Sequence, residues 1–445
     1  MTMIAGLGGM LRVGAGRLRR SQIAGPGLVT MIAIIVGIGA TFLGQMLISR
    51  HLGVRSYGYY SILVSWAMLV VLPASIGLDG AIMRFMPIYL LEGETRRYRR
   101  LIMLTVAAQI LGVAGVVGLL VLGASMGIGT LAWARTGTLI WVALLIGATV
   151  IGNTAAAVLQ AARRVIVAQI FMNVVRPLVV VILVASLIYL RPVGYDAADL
   201  FRVTAGAALL AVIPLVIHIA RAFFTRPATD TGAMPIRQWL TFGLFNLTAG
   251  VGQQALIQLP ILIVGTLGGT DQAGHYGVAS RLASTVSLGL AALAMVSLPL
   301  IATAFAAKDQ HEVRRIARLN VRLSFGFAVL ATLAIIVAGR WVLAVFGPGF
   351  VDAYPTLIVL MIGLTASSAL GVATGVVAMG GHPSVIAIAN ALGVVVLGVA
   401  AYALVPIMGT MGGAVAYGIA NMTTISMIAL FAYRRLGINT MIFAK

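Results

Sequence analysis

The chain has 445 residues, 61% hydrophobic and 9% charged, with a mean hydropathy of +1.08 and a formal net charge of +20. That composition is too apolar for a soluble globule and places the chain in a bilayer. The charge excludes a nucleic-acid role, because the arginines fall in short clusters between apolar runs and not on a dense basic face with interleaved aromatics. Cysteine is absent, which excludes disulfides, thiolate metal sites and a cysteine nucleophile.

In chain order, residues 1–27 carry Arg12, Arg17, Arg19 and Arg20 and form a basic N-terminal segment. The run that follows is too long for a signal peptide and has no small-residue cleavage pattern, so it reads as a helix. Apolar stretches of about 20 residues, the length that crosses a hydrocarbon core, then follow one another. They cover residues 28–49, 57–86, 101–125, 138–161, 166–190, 200–220, 239–267, 276–304, 319–345, 354–379, 385–405 and 412–433. Each is apolar on every side, whereas barrel strands alternate, so the fold class is an all-α polytopic membrane protein of about 12 helices. The basic residues lie on alternate connections: Arg96, Arg97, Arg99 and Arg100, then Arg163 and Arg164, then Arg221, Arg226 and Arg237, then Lys308, Arg314, Arg315 and Arg318, and finally Arg434, Arg435 and Lys445. With both termini cytoplasmic, about 20 positive residues stay inside against about six outside. The connection 221–238, with Pro227 and Pro235, reads as a linker between a bundle over 28–220 and a second over 239–433, with a cytoplasmic tail at 434–445.

A repeat supports that division. The segment LISRHLGVRSYGYYSIL at 47–63 returns as LIVGTLGGTDQAGHYGVAS at 262–280, and the basic loop GETRRYRRLIML returns as KDQHEVRRIARLN. Two halves of six helices share one topology, so their pseudo-two-fold axis is expected along the membrane normal, with a cavity between the bundles.

These residues carry a family pattern. Leu52-Gly53, Tyr57-Gly58-Tyr59-Tyr60, Ile76-Gly77-Leu78 and Arg84-Phe85 stand in the first half. Ala273-Gly274-His275-Tyr276, Ala279-Ser280-Arg281, Gly380-Gly381-His382-Pro383 and PIMGTMGGAVAYG at 406–418 stand in the second. Their order over nearly the whole chain resembles the polysaccharide transporter and O-antigen flippase family of the multidrug/oligosaccharidyl-lipid/polysaccharide (MOP) superfamily. The resemblance implies a V-shaped, MATE-like alternating-access carrier in the bacterial inner membrane that moves a polyprenyl-pyrophosphate-linked oligosaccharide from the inner to the outer leaflet. It also implies membrane lipids, a polysaccharide polymerase and glycosyltransferases as partners.

A lipid-linked sugar presents a pyrophosphate and hydroxyls, and charge inside a membrane helix normally faces a cavity or a partner. Arg281, Arg84 and Arg176 are candidates for the phosphates, since arginine stays protonated and grips oxygens in pairs. Each has a plainer alternative: Arg281 pairing with Asp271 or snorkelling, Arg84 pairing with Asp79 or snorkelling, and Arg176 satisfying a carbonyl freed by Pro177. Arg322 reads as an interfacial residue. Gln253, Gln254 and Gln258 are candidates for sugar hydroxyls, with interhelical hydrogen bonding as the alternative. Gln45, Asn246 and Asn390 read as packing residues. Asp79, the acid placed inside a span, is the candidate for ion coupling or gating.

No cofactor or metal is called for, and with Lys308 and Lys445 the chain's lysines there is no phosphate-binding GxxxxGK[ST] motif. The same framework accommodates a multidrug exporter or a lipid II flippase, although drug export calls for more intramembrane acids. A membrane polymerase or ligase calls for clustered His, Asp or Glu on a long outer loop, which the scattered histidines and short outer loops do not supply.

Overall fold

Lipid offers no partner for backbone polar groups, so apolar runs of this length satisfy themselves as helices. The computed structural model describes residues 24–130, 136–190, 195–225, 234–307 and 309–442. Residues 1–23 of the basic segment and residues 226–233 of the linker lie outside the described residues. The helices are α1 (Ala24–Ser75), α2 (Leu78–Leu91), α3 (Thr95–Ser125), α4 (Thr136–Ala161), α5 (Val165–Ile170), α6 (Arg176–Leu190), α7 (Ala197–Phe223), α8 (Ile236–Ala306), α9 (Gln310–Phe346), α10 (Tyr354–Ser368), α11 (Ala373–Met379), α12 (Pro383–Met408) and α13 (Thr410–Leu436). A π turn, Phe171–Val175, joins α5 to α6, and a 3-10 turn, Pro348–Ala353, precedes α10. Among the described residues, ten stretches are long and apolar enough to cross a membrane, which makes this a multi-pass membrane protein.

Two of those stretches are hairpins. Straight, the 52 residues of α1 and 71 of α8 would reach about 78 and about 107 Å, more than twice a hydrocarbon core of about 30 Å. Each is interrupted once, at Gly53 (φ 69°, ψ 176°) and at Gly269 (φ 83°, ψ 179°), a backbone state open to glycine. The Tyr57 hydroxyl donates to Gln45 Oε1 at 2.9 Å across a stretch that would rise about 18 Å in a straight helix. A Cβ on Gly265 would stand 3.4 Å from that of Ala273, eight residues on. The chain therefore folds back at both glycines, which mark one end of the molecule, the turn end. The opposite end, carrying the α2–α3, α8–α9 and α11–α12 connections, is the loop end.

Three spans expected to be continuous are broken. The run 57–86 is interrupted at Ile76 and Gly77, with φ of 54° and 67°, so its last part becomes the separate helix α2. The break is filled from outside: a Cβ on Gly77 would lie 2.2 Å from the Gly243 carbonyl oxygen, the Ser75 hydroxyl accepts the Gly77 N–H at 3.2 Å, and Asn246 Nδ2 donates to the Gly77 carbonyl at 3.3 Å. The π turn interrupts 166–190. The run 354–379 parts between α10 and α11, where Gly371 has φ 64° and Ile442 N–H from the returning C-terminal tail donates to the Ala369 carbonyl at 3.0 Å. At Gly77 and Ala369 tertiary partners take up groups that a regular helix would have paired, a cost the hydropathy pattern does not reveal.

Helices α1 to α7 pack on one another, as do α8 to α13, and the two groups meet chiefly where α1 and α2 lie against α8, with α9 and the 3-10 turn also touching α1. The seam is self-complementary. A Cβ on Gly58 would stand 1.8 Å from the Thr270 carbonyl oxygen, and one on Gly274 would stand 2.2 Å from that of Val54. Since 54 and 270, like 58 and 274, are 216 apart, each copy offers the other the same position, the reciprocity of a two-fold contact. The relation extends off the seam: Gly37 abuts Asn173 on the π turn, and Gly252 abuts Asn390 in α12.

Candidate functional site

The seam between the two helix groups carries polar residues, and these define the candidate site. At the turn end it is filled by aromatic side chains. Tyr57, Tyr60 and Tyr276 are at most 2% exposed; Phe350 stacks edge-on to Tyr57 at 5.5 Å and to His275 at 6.4 Å, and His275 Nε2 lies 2.9 Å from the Gly349 carbonyl oxygen. The Ser49 hydroxyl reaches the Phe346 carbonyl at 3.1 Å, tying α1 to the end of α9.

Below this plug the seam becomes polar. Arg281 follows Gly269 by twelve residues, about 18 Å down the second arm of α8. It is half-buried, within electrostatic reach of Tyr57 and Tyr60, and makes no ion pair. The ion pairs among the described residues are Arg97–Glu94, Arg202–Asp199 and Arg315–Glu312, so the pairing with Asp271, which is exposed, does not occur. At nearly the same depth, Gln258 is 8% exposed, and the Ser65 hydroxyl is buried without a hydrogen-bond partner. Ser65 occupies in the first half the position of Arg281 in the second, 216 residues apart. Below Arg281 on the same face of α8, Ser284, Leu288 and Ala291 are exposed.

The amide row divides. Gln254 Nε2 donates to the Met68 carbonyl at 3.1 Å, each residue fifteen positions from its turn glycine, so it ties the arms of α1 and α8 together. Gln258 shares that face through i,i+4 spacing, whereas Gln253 is exposed on another. Gln45 pins its own hairpin through Tyr57, and Asn246 serves the break at Gly77.

Arg84 stands nearer the loop end, exposed, over the rings of Phe242 at 4.8 Å and Phe85 at 5.7 Å. These are cation–π contacts across the seam, because Phe242 belongs to α8. It does not pair with Asp79: five helical positions put the two roughly 140° apart, and Asp79 is otherwise engaged. The Thr154 hydroxyl lies 2.5 Å and Gln109 Nε2 3.0 Å from Asp79 Oδ1, and Gln109 Nε2 lies 2.6 Å from Thr154 Oγ1. Asp79 thus joins α2 to α3 and α4, away from the other candidates. Arg176 is also apart, donating to Thr149 Oγ1 at 2.8 Å beside a small cavity bounded by Gly152, Phe171 and Val212. The threonine in α4, and not a carbonyl freed by Pro177, is its partner.

The structure therefore brings Arg281, Gln254, Gln258 and Arg84 onto the seam, and places Arg176 and Asp79 within the first helix group. Sequence reasoning missed Ser65, Gln109 and Thr154. The last two had a signal, since isolated polar side chains in apolar spans seek one another, but their partner is fixed by packing alone. The Tyr57–Tyr60 pair was read as a family mark and not as the roof over Arg281.

Residues 26–305 match the family described as polysaccharide biosynthesis protein. Among solved structures, an inward-facing multidrug resistance MATE family transporter of the MOP superfamily superposes with a TM-score of 0.75 at 13% identity, covering 92% of this chain and 98% of that one. The lipid II flippase MurJ, in its inward closed conformation, gives 0.71 at 12% identity over 91% of this chain and 87% of the other. A MOP superfamily transporter from Pyrococcus furiosus Vc1 gives 0.63 at 14% identity, covering 92% and 95%. At such identities the likeness fixes the fold, which is that of MOP transporters. No curated protein matches the sequence.

Proposed function

Since the chain belongs to the family of polysaccharide biosynthesis proteins, we propose that it is a flippase that moves a polyprenyl-pyrophosphate-linked oligosaccharide from the inner to the outer leaflet. In this proposal twelve crossings form two six-helix bundles related by an axis through the Gly58–Gly274 contact, and rocking about the seam gives alternating access. The loop end, where Arg96, Arg97, Arg163, Arg164, Arg221, Arg237, Arg314 and Arg315 cluster, is cytoplasmic and the turn end outer. The observation that carries the reading is Arg281, a permanent cation on the seam with no acid to neutralise it. A cation so placed is costly unless an anion visits it, and the pyrophosphate of a lipid-linked sugar is such an anion. Arg84 and its aromatic neighbours stand near the entrance, and Gln258 supplies an amide for hydroxyls. A drug exporter, by contrast, would need an acid on this surface, and Asp79 is held elsewhere by Gln109 and Thr154.

Arg281→Ala tests this. Expected are normal protein levels, loss of glycan export and accumulation of lipid-linked oligosaccharide in the inner leaflet, with Arg281→Lys retaining part of the activity. Normal export by the alanine variant would refute the assigned role.

A further inference from the structure

Helix α9 has 37 residues, about 55 Å, and overshoots a hydrocarbon core of about 30 Å by several turns. One of its faces records where the excess lies. His311, Arg315, Arg318 and Arg322 share an azimuth within about 60° of one another, and Leu330, Leu333, Ile336 and Val337 continue the same face. Those four aliphatic residues are 44–70% exposed, and every exposed residue between Arg322 and Arg340 is apolar. A face of this kind looks at hydrocarbon and not at an aqueous cavity. From Arg322 to Arg340, on the same face, is eighteen residues or about 27 Å, the thickness of the apolar layer, so Arg322 and Arg318 stand where phospholipid phosphates begin.

The opposite face is buried through Val313, Ile316, Ala317, Asn320 and Val321, which holds the helix in this orientation. The neutralising groups are few. Glu312 lies 3.4 Å from Arg315, and Arg314 Nε is taken by the Gly437 carbonyl at 3.0 Å. Arg318, half-buried, uses its Nε on the Arg314 carbonyl at 3.3 Å and makes no ion pair, and neither does the exposed Arg322. The exposed Arg434 and Arg435 lie in the last turn of α13, which the Gly437 contact draws toward the same end of α9.

We propose that the loop-end part of α9 is a binding surface for anionic phospholipid, with Arg318 and Arg322, one turn apart on the lipid-facing side, holding the headgroup phosphate and Arg315 extending the positive surface beyond it. The site is separate from the seam and faces the surrounding bilayer. Anionic headgroups at a membrane surface favour each nearby arginine by about 1 kcal/mol, or roughly five-fold in binding.

The test uses the full chain purified in a neutral detergent, with native mass spectrometry reading the lipid retained from equal amounts of phosphatidylglycerol and phosphatidylcholine with the same acyl chains. The wild-type protein should retain phosphatidylglycerol in clear excess. Arg318→Gln/Arg322→Gln should bring the ratio close to that of the mixture, Arg318→Lys/Arg322→Lys should preserve most of the preference, and Arg340→Gln, at the other end of the face, should leave it unchanged. If the glutamine pair does not elute as a single species, each single glutamine variant should lower the ratio about five-fold. An unchanged ratio in the glutamine variants, an equal loss in Arg340→Gln, or displacement of the lipid by inorganic phosphate at matched ionic strength would overturn the proposal, the last by identifying a soluble phosphate as the ligand.

Discussion

Single residues set the seam's geometry because two backbones meet there without side chains between them. A methyl group at Gly58 would stand 1.8 Å from a carbonyl oxygen on the other hairpin, so Gly58→Ala forces the helix groups apart. The expected loss is about 1–3 kcal/mol or more, seen as a lower apparent Tm in detergent, while Gly39→Ala, with open space around it, leaves the Tm unchanged or raised. Asp79 has a double character, since it fastens three helices and is the acid the sequence offers for coupling. Thr154→Val removes one of its partners and should cost about 1–3 kcal/mol without altering how transport responds to pH or sodium. Asp79→Asn should abolish that response if the carboxylate carries the ion; an Asp79→Asn protein with wild-type pH and sodium dependence would end the coupling role. The charged and amide residues were visible in the sequence as interruptions of apolar runs. Their partners were not, because an i,i+5 separation suggested Arg84 for Asp79 while the real partners, Gln109 and Thr154, lie 30 and 75 residues away.

At the scale of elements, hydropathy located the spans well and their interiors poorly. Apolar length determines whether a segment crosses, so the runs at 101–125 and 138–161 end within a few residues of α3 and α4. A break inside a span leaves the apolar composition unchanged, and Ile76, a β-branched residue at φ 54°, gives no warning of one. What sustains the break is Asn246 on α8, a residue that the sequence marked for packing. Asn246→Leu keeps the branched shape of the side chain but leaves the Gly77 carbonyl without a donor. The expected loss is about 1–3 kcal/mol, with faster hydrogen exchange around residues 76–80 as the diagnostic, since a simple packing defect would not concentrate there.

For the whole molecule, alternating access requires the turn end to part. A Cβ on Gly277 would lie 3.2 Å from that of Ser61, near the separation a disulfide needs, and the chain has no native cysteine to confuse the result. Ser61→Cys/Gly277→Cys should crosslink on oxidation, stop export, and recover on reduction; continued export by the crosslinked protein would mean that this end does not open. The recurrence of the turn at Gly53 and Gly269 was legible from the repeated loops, because the Leu-Gly pair that opens each keeps its place at the end of an apolar run. The contact that joins the copies was not, since it consists of backbone meeting backbone and has no side-chain signature.

That contact bears on how such a chain comes to exist. A surface that matches itself at positions 54 and 58 would let a half-length polypeptide pair with a second copy of itself, before any fusion through a linker. Once the copies are joined, each can accept substitutions the other does not share, provided they lie off the axis: glycine remains at both 58 and 274, while a few turns away serine stands at 65 and arginine at 281. A symmetric dimer would have to place two arginines face to face at that depth and bear their repulsion. A single chain with serine at 65 and arginine at 281 has one, and with it a polarity that a symmetric dimer could not have.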